Sequence, residues 1–455
     1  MEFVVVLAAL VVAEVVFAWW IRRSGTEKRT WLRGRIALRA VELGVALAAR
    51  LLPVWGMQWR FSALVAVTAI LLLWAVLAYV LRRNKVAGAR KTGAVVAGVV
   101  TSVLVFGVAL VPALVFTGYK GLPTTGSYQV KEASAILVDV SRKESHEADG
   151  SAREVPVHFV YPDAEGADAE GSYPLVVFNH GSFGYWESNY STYAELASNG
   201  YVVASIENPY YALFTHDTSG QLITVDPQFM QDAVNLQNGE AASKPEDELE
   251  QEWMSTRDAD MSFAIGCIEA ASASDTLDDA WYVETDADRA AVLQALAMVD
   301  ASKIGTMGHS IGGAAAMDMA RQRGDIDAVI DLDGTMLGEV QTQDGAQTFN
   351  SGPFPVPLLA VNNEENGKQY EEGNPDGTEY VNQYVVEHAK DARSLTFAGT
   401  EHMDFTDLPL LSPTLAGMLG KGSVDSEEFV PHMNDVILRF YDYYLKGVGN
   451  LDQLE

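Results

Sequence analysis

The sequence predicts an α/β fold, a mostly parallel sheet with helices on both faces, preceded by a bundle of membrane-spanning helices. Three observations predict it. Long apolar runs flanked by arginines fill the first quarter of the chain. From residue 134 onward, short strand-like runs alternate with helix-like runs, the pattern of a parallel sheet. A G-x-S-x-G motif, Gly308 to Gly312, stands between one such strand and one such helix.

Charge divides the 455 residues into two parts. The formal net charge is -30 although 48% of the residues are apolar. Residues 1–119 hold 14 Lys and Arg against four acids, Glu2, Glu14, Glu27 and Glu42. Residues 120–455 hold 17 basic and 57 acidic residues. The first part reads as a transmembrane region and the second as an acidic domain. Residues 3–21, 61–81 and 94–116 are each long enough to span a bilayer, which takes about 20 apolar residues. Residues 36–55 are a weaker fourth span, because they carry Arg39, Glu42 and Arg50. Their alternative reading is an amphipathic helix lying in the interface. Arg22, Arg23, Lys28, Arg29, Arg33 and Arg35 crowd the first loop, and Arg82, Arg83, Lys85, Arg90 and Lys91 the third. Loops rich in Lys and Arg stay cytoplasmic. Both can do so only if the second segment crosses, which predicts four spans and an extracytoplasmic acidic domain. Residues 3–21 do not read as a cleavable signal, because their basic residues follow the apolar run. The acidity disfavours nucleic acid as a partner. The single cysteine, Cys267, sits in an apolar helical run and reads as core.

Residues 120–126, KGLPTTG, form a linker. Strands are predicted at 134–140 and 154–161, with a charged turn between them and a loop at 163–172. PLVVF (174–178) is a buried strand leading into HGSFG. A helix over 190–199 closes on Gly200, and residues 201–206 form the next strand. Residues 210–302 are too long for one crossover and read as a cap-like insertion over the site. KIGTM (303–307), DAVIDL (327–332), PLLAV (357–361) and SLTF (394–397) complete the sheet, with a helix after the elbow at 311–320. Ligands of such sheets bind at the C-terminal ends of the strands, where the motifs fall.

The motif asks for a nucleophile. A strand, a sharp turn and a helix present Ser310 Oγ clear of the sheet, and the helix aims its free N–H groups at a developing oxyanion. A serine needs a base, and the base needs an acid to orient it. Among eight histidines, His402 follows the last strand in an exposed loop late in the chain, the order expected of an α/β-hydrolase. His309 lies inside the elbow and is expected to point away. For the acid, Asp333 ends the strand after the elbow and Glu364 or Glu365 follow the next one. Asp331 lies inside its strand, and Asp404 is too local to His402. Spacing leaves Asp333 and Glu364 as equal candidates. The oxyanion donors are expected to be the N–H of Ile311 and that of Ser182 or Phe183, with His180, Gly181 and Phe183 against substrate.

Four stretches resemble one family. LPTTGSYQVKEASAILVDV (122–140), FNHGSFGYWESNYSTYAELASNGYVVASIE (178–207), SKIGTMGHSIGG (302–313) and GTEHMDFTD (399–407) are similar to the platelet-activating factor acetylhydrolases and their bacterial lipase and polyester-hydrolase relatives. That resemblance implies an α/β-hydrolase fold, an ester substrate, and Asp333 in LDGTM as the acid. It does not extend to ENPYYA (207–212) or to the apolar spans.

The expectation is therefore a multi-pass membrane serine esterase acting on lipid or short-acyl esters through Ser310, His402 and Asp333, with no cofactor and no metal. Two other readings stay open. One is an acyltransferase onto envelope components. The other is a silent domain that binds a partner. Intramembrane Glu14, Arg39, Glu42 and Arg50 are read as mutual pairs that hold a tether together.

Overall fold

The computed structural model describes residues 2–23, 27–52, 56–84, 91–164, 172–274, 276–343, 346–374, 378–452 and 454. Most of the loop predicted at 163–172, the end of the second predicted span and Lys85 and Arg90 lie outside the described residues. The chain separates into two compact units, Met1–Gly121 with Leu408–Met418, and Leu122–Asp407 with Leu419–Glu455.

The first unit is helical. α1 (Glu2–Arg23), α2 (Lys28–Leu51), α3 (Ser62–Arg82) and α4 (Thr92–Ala109) are followed by the short α5 (Val111–Val115). Three helices, Glu2–Arg23, Gln58–Arg82 and Thr92–Ala109, are long and apolar enough to cross a membrane. The predicted span at 94–116 is broken after Ala109. Pro112 explains the break, because its nitrogen has no hydrogen to donate. The outer faces of these helices stay apolar, with Val12, Trp74 and Leu104 exposed, as helices in lipid require. α2 is not among the three. Its charges turn inward: Arg39 pairs with Glu14 at 3.0 Å and with Glu42, and Arg35 pairs with Glu14 at 2.9 Å. Ser102 of α4 accepts from both arginines. The mutual pairing read from the sequence is thus present for Glu14, Arg39 and Glu42. Arg50 instead donates to Ser62 Oγ at 3.0 Å.

The second unit is built on nine strands. β1 (Val130–Lys143), β2 (Ala152–Pro162), β3 (Tyr173–Asn179), α6 (Tyr190–Ser198) and β4 (Val202–Ile206) open it. A hairpin, β5 (Phe214–His216) with β6 (Leu222–Thr224), leads to α7 (Pro227–Gln237) and the long α8 (Glu246–Ser274). β7 (Trp281–Tyr282), α9 (Asp286–Ala297), β8 (Val299–His309), α10 (Ile311–Gln322) and β9 (Ala328–Leu332) follow. Next come the hairpin β10 (Val340–Gln343) and β11 (Ala346–Phe349), then β12 (Leu358–Asn362), α11 (Glu364–Glu372), α12 (Val381–His388) and β13 (Ala392–Thr396). α13 (Leu408–Leu411) and most of α14 (Pro413–Leu419) belong to the first unit, and α15 (Ser426–Tyr441) returns to the second. The sheet order is β13-β12-β9-β8-β3-β4-β2-β1-β7. β13 to β4 are parallel, while β2, β1 and β7 add antiparallel at one edge. Every strand predicted from the sequence is present.

The insertion differs from its prediction. Only part of it has the character of a cap. The second half of α8 packs Met261, Ala264, Ile265 and Ile268 into the main core, and α9 adds Val292, Ala295 and Leu296. β7 extends the sheet beside β1. Tyr211, Phe229 of α7, and Leu249, Trp253 and Met254 of α8 form a separate apolar cluster with Ile311. The sequence pattern concealed this because α8 is 29 residues long and one continuous buried stripe meets two different apolar clusters along its length. Cys267 is packed against the main core, and burial pushes its thiol up to about 12.

Two carboxyls, half-buried Asp258 and buried Asp318, join α8 to the helix of the elbow. Burial raises Asp258 and Asp318 alike, and each lies in the other's field. Because the folded value exceeds the unfolded one, the favourable protonated form is complete below the ordinary carboxylate range and is lost as pH rises. Asp258→Asn is expected to match the parent thermal midpoint near about pH 3 and to exceed it by a few degrees near about pH 9, measured by differential scanning calorimetry.

Candidate active site

Ser310 sits between β8 and α10 with φ 58 and ψ -132, a conformation that side chains rarely adopt. Its N–H donates to the Leu332 carbonyl at 2.9 Å, which ties the elbow to the neighbouring strand. The helix can begin here only because Gly312 lacks a side chain. A Cβ there would stand 2.1 Å from the Asn179 carbonyl oxygen. Gly181 likewise lies against the nucleophile, where a Cβ would stand 3.2 Å from that of Ser310. Phe183, Tyr210 and Asp333 also have positive φ, so strain gathers on the loops around this serine.

Asp333 and His402 come together. His402 Nδ1 lies 2.7 Å from Asp333 Oδ2. Asp333 also accepts from the Asn363 N–H at 2.7 Å, from Asn363 Nδ2 at 2.8 Å and from Asn366 Nδ2 at 2.9 Å. Burial alone would raise this carboxyl, but the His402 bond and its other donors hold it below the usual carboxylate range. An ionised Asp333 keeps the proton on Nδ1 and leaves Nε2 free to accept from a serine.

The other acids have different tasks. Asp331 is fully buried and raised well above the usual range by burial first and then by Asp333; its Oδ1 accepts the Gly334 N–H at 3.1 Å. Glu364 accepts the Gly399 N–H at 2.7 Å and pairs with Lys368 at 2.8 Å. Asp404 accepts the N–H groups of Glu401 at 2.9 Å and Gly422 at 2.7 Å. These two carboxylates clamp the backbone of the histidine loop instead of orienting the imidazole.

His309 does not simply point away. Its ring centroid is 4.5 Å from that of His402, and its Nε2 lies 3.1 Å from the His402 carbonyl oxygen. Burial pushes it down to about 3, so it is neutral and donates from Nε2 to that carbonyl. His180 is placed beneath the oxyanion loop rather than on its surface. It is fully buried; Nδ1 donates to the Gly181 carbonyl at 2.7 Å and Nε2 accepts the Asn208 N–H at 3.3 Å. Burial lowers it to about 4, and it offers no atom to a substrate. Ile311 and Ser182 N–H groups have no acceptor among the described residues. The Phe183 N–H donates to the Tyr211 carbonyl at 3.2 Å, and the Phe183 ring packs 5.3 Å from Phe229.

Sequence reasoning missed Arg257. It is fully buried on α8, and Nη1 reaches Asn179 Oδ1 at 2.7 Å, the His180 carbonyl at 2.7 Å and Asn208 Oδ1 at 3.0 Å. Burial lowers its guanidinium to about 10, which leaves it charged at neutral pH. One turn on, Asp260 holds Arg153 at 2.6 Å, Arg142 at 2.8 Å and Asn208 Nδ2 at 2.9 Å. The only signal in the sequence was an arginine amid the RDADMSFAIG run, with nothing to say which loop it meets.

The sequence profile of platelet-activating factor acetylhydrolase, isoform II, matches residues 160–455. The chain belongs to this family. Its guinea pig relative (Cavia porcellus), a platelet-activating factor acetylhydrolase, is 26% identical over 290 residues, which is 62% of this chain and 59% of the relative. The dog relative (Canis lupus familiaris), of the same name, is 25% identical over 300 residues. The chain thus spans 59% of the length of these relatives. Among solved structures, a ferulic acid esterase from Streptomyces cinnamoneus has the same fold, with a TM-score of 0.51, 20% identity, and coverage of 73% of this chain and 95% of that one. The chain is therefore an acetylhydrolase-family protein with an α/β-hydrolase fold.

Asp333→Asn is expected to lower kcat on an activated ester by about 10⁴-fold, and Glu364→Gln by less than about tenfold. Arg257→Lys is expected to cost about tenfold in kcat with KM little changed, since it alters support for the oxyanion loop and not substrate contact. Steady-state kinetics with circular dichroism as a check of fold measures all three.

Proposed function

We propose that the chain is a membrane-anchored serine hydrolase of carboxylic esters. The 2.7 Å contact between His402 and Asp333, in loops that follow the C-terminal ends of parallel strands as the strained Ser310 does, is the observation that carries this reading. Ser310 Oγ attacks the ester carbonyl as His402 Nε2 takes its proton. Asp333 stabilises the imidazolium. The N–H groups of Ile311 and Ser182 hold the oxyanion at the start of α10. His402 then protonates the leaving alcohol, and water hydrolyses the acyl-enzyme with His402 as base. No step asks for a metal or cofactor.

The wall beside the oxyanion donors is apolar. Phe183, Tyr211, Phe229, Trp253 and Met254 cluster with Ile311, which suits an acyl chain. Family membership and three apolar helices favour a lipid or short-acyl ester drawn from a bilayer. The arginine-rich loops favour an extracytoplasmic hydrolase domain.

The decisive experiment uses the full-length chain in a non-ionic detergent with p-nitrophenyl esters of rising chain length. Turnover is expected, abolished in Ser310→Ala, with a chain-length optimum that reports the acyl pocket. A fluorophosphonate is expected to label Ser310. An acyl product formed on an added alcohol, in place of the free acid, would make the chain an acyltransferase. No turnover and no labelling would leave only a binding domain.

A further inference from the structure

A cavity of about 680 Å³ lies away from Ser310. None of Ser310, Asp333 and His402 lines it. It lies over β1, β2 and the end of β4, walled by Trp186, the β5–β6 hairpin and the residues around β7. β4 is separated from β8 by β3 alone, so the floor of the cleft begins about 10 Å from the elbow along the sheet. Its volume falls in the range of small-molecule sites.

Its chemistry is one-sided. Four carboxylates line it, Glu207, Asp217, Glu284 and Asp288, and among the lining residues there is no Lys or Arg. Trp186, Phe214 and Tyr282 add aromatic surface, and Phe214 and Tyr282 are about two-fifths exposed. Glu207 forms the floor and is 3% exposed. It is built into place: the Trp186 N–H donates to Oε1 at 3.1 Å, and Oε2 takes Thr215 Oγ1 at 2.5 Å and His158 Nε2 at 3.3 Å. His158 is in turn fixed between Ser134 Oγ, 2.8 Å from Nδ1, and the Trp186 ring, stacked at 4.5 Å. Burial would raise Glu207, but His158 and these other donors hold it below the usual range, so the floor carries a negative charge.

We propose that this cleft is a binding site for an organic cation bearing a primary ammonium and an apolar body. A carboxylate held 3% exposed in a cleft without Lys or Arg attracts a cation. A primary ammonium brings three donors for the acceptors of the floor and rim, which a quaternary one does not. The aromatic walls favour the charge through their ring faces and cover the apolar body. The site is independent of the ester chemistry, since it shares no residue with the Ser310 constellation.

Calorimetric titration of the full-length chain in maltoside detergent with 2-phenylethylammonium and its neutral analogue 2-phenylethanol tests this. The cation is expected to bind at least about tenfold more tightly than the alcohol. The exposed pair Glu284→Gln with Asp288→Asn is expected to weaken the cation about threefold and leave the alcohol unchanged, and Tyr282→Leu to weaken the cation about fivefold. Circular dichroism of each variant reports that the fold is intact. Equal affinities for the two probes, no heat from the cation, or variants that bind as the parent does would overturn the site. None of these results bears on whether Ser310 is a nucleophile.

Discussion

The close approach of α10 to β3 is the constraint on which the rest of the site depends. Gly312 lets the first turn of the helix meet the carbonyls of Asn179 and His180, at a separation no Cβ would permit. That contact aligns three things at once. Ser310 is forced to φ 58 and stands proud of the sheet. The N-terminus of α10 is brought beside the HGSFG loop, where a Cβ at Gly181 would stand 3.2 Å from that of Ser310. β8 and β9 are locked in register through Ser310 and Leu332, which puts Asp333 at the tip of the next strand. Strain at a few residues persists because the surrounding packing over-determines it.

A layer of buried charge supports this arrangement from below. α8 carries Arg257 and Asp260 one turn apart, on the face that meets the polar ends of β3 and β4. Arg257 binds the backbone next to the oxyanion loop and Asp260 ties down two arginines from the first hairpin. Such a network costs desolvation, so its value lies in geometry more than in stability. It ties the backbone beside the HGSFG loop to α8. His180 and His309 follow the same logic. Both are neutral, buried and bonded to backbone carbonyls, and they set the height of the two loops that face each other across Ser310.

The helical unit handles charge in the opposite way. Much of its outward surface is apolar, and four of its charged side chains, Glu14, Arg35, Arg39 and Glu42, pair between α1 and α2. In lipid every buried charge needs a partner, and pairing across helices fixes their rotation as well as their contact. α13 and most of α14 also belong to this unit, although they lie in the chain just after the histidine loop. Thr117 donates to the Leu410 carbonyl at 2.7 Å, and Ser412 to that of Val115 at 2.7 Å. The boundary read at residue 119 therefore divides the chain but not the whole of its packing.

Much of this was legible in the residues. The strands and the glycine-flanked turn at Ser310 were readable because local chemistry dictates them. Apolar alternation marks a strand, and glycines around a serine mark a sharp turn, whatever the rest of the fold does. The acid was not readable from spacing. Asp333, Glu364 and Asp404 all stand close to strand tips, and only the folded backbone shows that one meets His402 while the others clamp its loop. Arg257 was invisible, since a buried charge is recognised by its acceptors and these lie 49 to 78 residues away. The two packing partners of the insertion were not legible, because one buried stripe of α8 meets both and a single periodicity cannot report two partners. Local turns and hydrophobic period are properties of neighbouring residues, so the sequence by itself determined them. Pairings between distant polar groups depend on where strands end in space, and only the tertiary structure decided those.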